Sequence, residues 1–114
     1  MPKSSDNPRS ELLPGTLEML ILRTLTAGDL HGYGIARHIE QASNGVLRIE
    51  QGSLYPALER LLEKGWAKAR WDRSPSGRRA RYYTMTPSGQ ARLDRKVAEY
   101  ERVVGAITQV MSET

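Results

Sequence analysis

The sequence predicts a mainly α fold of the α+β kind: a winged helix-turn-helix with a two-stranded wing and a long C-terminal dimerisation helix. Three observations predict it. Before residue 65, apolar residues recur at helical spacing in three separate blocks. Residues 66–85 then change to a strand-turn-strand pattern loaded with arginine. After Thr86-Pro87, one unbroken helical stripe runs to about residue 112.

Each element has its own warrant. Residues 1–11 hold Pro2, Ser4, Ser5, Asp6, Asn7, Pro8, Arg9 and Ser10 and predict a flexible arm. Pro14-Gly15-Thr16 announces the first helix, with Thr16 as cap and Glu18 suiting the helix dipole. Its apolar stripe is Leu17, Leu20, Ile21 and Leu25, widened by Met19 and Leu22, and Gly28-Asp29 ends it. The second helix opens at His31-Gly32-Tyr33-Gly34, buries Ile35, Ala36 and Ile39, and stops at Asn44-Gly45, both tolerant of a left-handed backbone. Val46-Leu47-Arg48-Ile49 reads as a brief extended connection. The third helix has Ser53 as N-cap, Pro56 within the first turn and a Leu54, Leu58, Leu61, Leu62 stripe, and Gly65 stops it. The strands are Trp66–Trp71 and Ala80–Met85, joined through Ser74-Pro75-Ser76-Gly77. In the last helix Thr86 caps, Pro87 takes the first helical position, and Leu93, Val97, Tyr100, Val104, Ile107 and Met111 are spaced as heptad a and d positions. Val103 and Val110 broaden that seam, which outlasts what so small a domain can cover. It predicts pairing with a second copy.

The composition bounds the function. A chain of 114 residues suits one domain and a modest core rather than a large enzyme cleft. Cysteine is absent, which excludes disulfides and thiolate metal sites. No apolar run approaches the roughly 18 residues of a membrane span, and Met1 to Ser10 lacks a signal peptide's apolar stretch. A cytoplasmic location is the expectation. The net charge of +4 is unevenly placed. From Lys64 to Tyr83 there are seven basic residues and a single acid, Asp72, so this segment carries +6 and the remainder −2. Charge runs usually make a solvated face. One concentrated on a hairpin beside a capped helix favours a polyanion.

A short helix feeding a basic hairpin is how a winged helix reads DNA. The third helix is expected to enter the major groove with Ser53 and Tyr55 foremost, and Arg60 one turn behind. Lys64 sits at the negative end of that helix's dipole. Arg78, Arg79 and Arg81 are the expected wing contacts to backbone or minor groove, with Arg73 weaker. The domains read as 1–11 arm, 12–86 winged helix-turn-helix and 87–112 dimerisation helix.

Four segments, in order, resemble the PadR-type transcriptional regulators: Leu13 to Leu22 (LPGTLEMLIL), His31 to Ile35 (HGYGI), Gln51 to Leu58 (QGSLYPAL) and Arg81 to Gly89 (RYYTMTPSG). The resemblance spans roughly residues 12–112. It implies a homodimeric winged-helix regulator, usually a repressor, reading a two-fold operator with one third helix per half-site. It carries DNA contacts onto Ser53, Tyr55 and Pro56, adds Tyr33 from the second helix, and matches the Tyr82-Tyr83 pair. Strand alternation turns Tyr83 to the core and Tyr82 outward. The single helix after the wing is similar to the short subgroup. Members with aromatic or drug-like effectors hold them at the dimer interface, where Trp66, Trp71 and Tyr100 are the available aromatics.

Competing chemistry is poorly represented. No cofactor or metal is expected: His31 and His38 lack a partner at recognised spacing, and His31 reads as a cap or a polar contact. Gly32-Tyr33-Gly34 has no Walker lysine after it, and no serine lies in a nucleophile elbow. No enzyme is expected. The rival reading is a winged-helix protein-interaction module with only non-specific DNA affinity, for which Glu59 and Glu63 on the third helix leave room.

Overall fold

The computed structural model describes residues 15–113. The expected arm, 1–11, lies outside them, as do Leu13 and Pro14. Helix α1 spans Thr16–Leu25. Gly15, not Thr16, holds the cap position at φ 84, with no side-chain cap bond. Left-handed backbone is open to glycine at no steric cost, so the chain turns into the helix one residue earlier than the capping pattern suggests.

Helix α2 spans Gly32–Ala42. His31 caps it: the Gly34 N–H donates to His31 Nδ1 at 2.9 Å. Asn44 (φ 54) and Gly45 (φ 80) end it as the sequence predicts, and Gly45 N–H donates back to the Glu40 carbonyl. Residues 47–50 form no regular element, although Leu47 and Ile49 pack on the core.

Helix α3 spans Gln51–Glu63. It begins earlier than its serine implies. Glu50 holds the N-cap position in extended backbone, and Ser53 is the third helical residue, not the cap. Pro56 therefore lies in the second turn, where the Gly52 carbonyl loses its intrahelical donor. Gly65 (φ 76) closes the helix, and Trp66 N–H returns to the Leu61 carbonyl.

Strands β2 (Ala67–Arg73) and β3 (Arg79–Met85) form the wing, in a register from Ala67↔Met85 to Arg73↔Arg79. The sheet has one strand more than the sequence suggests. Leu30–His31 form β1 on the free edge of β3, opposite Tyr83 and Tyr82, for a strand order β1-β3-β2. Helix α4 spans Pro87–Met111. Thr86 caps it by accepting from Gly89 N–H at 3.0 Å, while its own hydroxyl donates to the Gly65 carbonyl.

The core joins Ile21, Leu22 and Leu25 of α1 to Ile35 and Ile39 of α2. Leu54, Ala57, Leu58 and Leu61 of α3 meet them, with Ala67, Tyr83 and Leu93 closing the far side. Fully burying each such aliphatic side chain contributes about 1.5–3 kcal/mol. Two features seat α4 on this core. Gly89 packs so close that an added Cβ would fall 2.1 Å from the Trp66 carbonyl oxygen. Arg92 Nε lies 2.8 Å from Glu18 Oε2, its guanidinium over the Trp66 ring. Leu93 is 2 % exposed and Val97 packs against the same core. Leu93 thus belongs to the chain's own interior, not to the seam its heptad position implies. From Tyr100 onward the stripe is uncovered: Ile107 is 50 % and Met111 77 % exposed.

Candidate nucleic-acid interface

α3 is bound to the core along Leu54, Ala57, Leu58 and Leu61, and its other side faces solvent. On a helix turning 100° per residue, Gly52, Pro56, Glu59 and Glu63 run along the middle of the solvent side. Tyr55 and Ser53 flank the leading half. Ser53 makes no side-chain hydrogen bond among the described residues, so its hydroxyl is free for a ligand. The Tyr55 ring lies on Gly32, where an added Cβ would be 2.8 Å from Tyr55 Oη. The first helical residue of α2 is thus a seat for the tyrosine of α3. Arg60 is exposed and unpaired among the described residues. Lys64 is the C-cap of α3, about 20 Å from its leading turn at 1.5 Å per residue.

At the start of α2, Tyr33 is exposed and Arg37 covers it: the guanidinium sits over the ring, and Nη1 lies 3.4 Å from Tyr33 Oη. The sequence reading picked Tyr33 and missed Arg37. The i, i+4 spacing was the available signal.

The wing's register sorts its arginines by face. Ala67, Ala69, Trp71 and Arg73 share one face with Arg79, Arg81, Tyr83 and Met85. That face begins in the core at Ala67 and buried Tyr83, as alternation predicts, and continues past α3 toward the tip. Arg81 Nη1 lies 3.2 Å from Glu59 Oε2, so this wing arginine points back at α3. Arg79 stacks over the Trp71 ring at 5.0 Å, and Trp71 is 58 % exposed. Arg73 Nη1 donates to the Gly77 carbonyl and braces the turn. Arg78 lies in that turn, exposed and without an ion pair among the described residues.

The opposite face is tied to the domain. Arg70 pairs with Asp29 at 2.5 Å and lies over Tyr82, whose ring meets that of His31 edge-on. Arg70 first, then the Thr84 hydroxyl, holds the Asp29 carboxyl below its ordinary value. Burial pushes the Tyr83 hydroxyl up, so it stays protonated beside Arg81.

The aromatics named for an effector do not converge. Tyr100 lines a cleft between α1 and α4 with Gly15, Thr16, Met19, Lys96, Glu99 and Val103, and neither tryptophan reaches it. Its volume is about 160 Å³, and a second cleft between the same helices, lined by Met19, Leu20, Arg23, Val97, Tyr100 and Glu101, encloses about 440 Å³. Trp66 lies under Arg92 at the base of α4, and Trp71 lies on the wing.

A helix pair, an exposed leading turn on its second helix and an arginine-bearing hairpin together define a protein of the winged-helix class. The PadR-like family of transcriptional regulators matches residues 21–95. An uncharacterized protein X of Lysinibacillus sphaericus is 32 % identical over 95 residues, 83 % of this chain and 87 % of its own. A 37.1 kDa protein in transposon TN4556 of Streptomyces fradiae is 37 % identical over 90 residues, 79 % of this chain but only 24 % of its own. Among solved structures, a transcriptional regulator from Clostridium thermocellum superposes with TM-score 0.77 at 29 % identity, covering 83 % of this chain and 92 % of that one. A PadR family transcription regulator from Clostridium difficile gives 0.74 at 28 %, covering 86 % and 100 %. The chain belongs to the PadR-like family, whose members are transcriptional regulators and not enzymes. No helix among the described residues is long and apolar enough to cross a membrane.

Proposed function

We propose that this chain is a sequence-specific DNA-binding regulator that acts as a homodimeric repressor. Helix α3 enters the major groove of each half-site with its N-terminal turn foremost, and the wing follows the backbone or the minor groove. One observation carries the reading: the free face of α3 and the arginine face of the wing are neighbours, joined through Glu59 and Arg81. Tyr33, Ser53, Tyr55, Pro56 and Arg60 supply the groove and phosphate contacts, and Arg78 and Arg79 the outer phosphates. Lys64 reaches only a flanking phosphate. Tyr100, Val104, Ile107 and Met111, widened by Val103 and Val110, supply the seam to the second copy. A dimer spaces its half-sites by about one helical turn, ~10 bp. A regulator bound across a promoter represses by occupancy.

Selection of duplexes from a random pool by the purified protein at near-physiological salt tests this. A two-fold symmetric consensus is the expected result. An unenriched pool would favour the rival, a winged-helix module whose basic hairpin meets an acidic protein.

A further inference from the structure

We infer that Glu59 is a specificity determinant that reads a cytosine in each half-site, and that Arg81 is its positioning residue. The inference rests on the DNA-binding reading above and deepens it. Glu59 stands on the middle line of the exposed face of α3, one turn behind Tyr55, in the part of the helix that faces the groove floor. A carboxylate there is repelled by phosphates and by the acceptor edges of guanine and thymine. The major-groove donor that suits it is an exocyclic amine, and that of cytosine has no ring acceptor of its own base beside it. Adenine places N7 next to its amine, which disfavours a second carboxylate oxygen.

Arg81 makes such a reader workable. Its Nη1 holds Glu59 Oε2 at 3.2 Å and leaves Oε1 without a partner among the described residues. The guanidinium is itself held over the Tyr83 ring, which is fixed in the core. The carboxylate is thereby aimed from a rigid support, and its charge is offset at the moment it approaches DNA. Stability gives no comparable reason for the pair. Both side chains are well exposed, and ion pairs so placed contribute little to folding. Arg81 thus serves the groove through Glu59, in place of the phosphate contact its position in an arginine run suggests.

The test compares the duplexes selected by the wild type, Glu59→Gln and Arg81→Met, followed by titration of the wild-type consensus and its single-base-pair variants. The expected wild-type consensus has a cytosine at one position per half-site. Glu59→Gln should lose about tenfold discrimination at that position alone, drifting toward adenine, whose N6 and N7 suit an amide. Arg81→Met should blur the same position and leave the others intact. An identical consensus for the wild type and Glu59→Gln overturns the inference while leaving the DNA-binding reading in place. A loss spread evenly over all positions also overturns it, because that is the mark of a general electrostatic or structural role. No enrichment with the wild type removes the DNA-binding reading and this inference together.

Discussion

The exposed face of α3 is polar and braced, whereas that of distal α4 is apolar and unbraced. On α3, Tyr55 is seated on Gly32 and Glu59 is held by Arg81, so side chains facing water are nonetheless fixed. On α4 beyond Tyr100, Val103 edges the cleft against α1, while Val104, Ile107, Val110 and Met111 face water. Rigid polar groups suit a ligand recognised by hydrogen bonds, since little order remains to be imposed on binding. A bare aliphatic stripe suits another apolar surface. The two helices are thus fitted for different partners.

The largest expected effect comes from breaking the apolar side of this comparison. Val104→Asp with Ile107→Asp should convert dimers to monomers, because burying two carboxylates in a seam is prohibitive. Both positions face solvent in the single chain, so the monomer should stay folded. Losing the linked second half-site should weaken operator binding on the order of 100-fold. Sedimentation and anisotropy titration read the two outcomes. Intact dimers would show that the stripe is not the seam.

Leu93 sharpens the same comparison from within α4. Leu93→Ala should destabilise the fold by about 2–5 kcal/mol, whereas Ile107→Ala should leave the isolated fold nearly unchanged and weaken only assembly. Thermal melts at low protein concentration separate them. Equal losses would erase the proposed division of the helix.

The polar side is tested next. Tyr55→Ala should weaken specific binding about tenfold, equivalent to ~1.4 kcal/mol, with non-specific binding and circular dichroism unchanged. Unaltered operator affinity would reject α3 as the reader. Replacing Arg78 and Arg79 together by Ala should reduce the slope of log affinity against log salt by about 2, near 0.9 per lost phosphate contact. An unchanged slope would move the phosphate contacts elsewhere.

The smallest effect concerns the tied face of the wing. The Asp29 carboxyl has a lowered folded value, so its contribution is present above the ordinary 3.8 and is lost as pH falls through the folded value. Stability should therefore show no Asp29-dependent change between about pH 5 and 8. Asp29→Asn should be only slightly destabilising at neutral pH, since the pair with Arg70 is substantially exposed. Urea melts at two pH values check both statements.

Much of the fold was legible because local chemistry writes it. Thr86-Pro87, Asn44-Gly45, Gly65 and the Ser74–Gly77 turn each mark a boundary through their own backbone preferences. The failures share another cause. Strand β1 is two residues long, too short for any periodicity, and exists because β3 offers it an edge. Ser53 is a better capping residue than Glu50, yet α3 begins earlier, with the Ser53 and Leu54 N–H groups already donating to the Glu50 carbonyl. Leu93 has the spacing of a seam residue because core and seam positions share one helical period. The Glu59–Arg81 bridge joins residues 22 apart on a helix and a strand, a pairing that only the fold creates. Tyr33, Ser53, Tyr55, Arg78 and Arg79 lie exposed and Arg81 half-buried, but which of them are braced, and by what, was not readable in the sequence.

The most direct test of the two-partner account is the stoichiometry and symmetry of the complex on the duplex that selection enriches. Sedimentation equilibrium on that duplex, paired with the selected consensus, measures both. The account predicts two chains per duplex on a two-fold symmetric site. One chain per duplex, or an enriched site without two-fold symmetry, would contradict it.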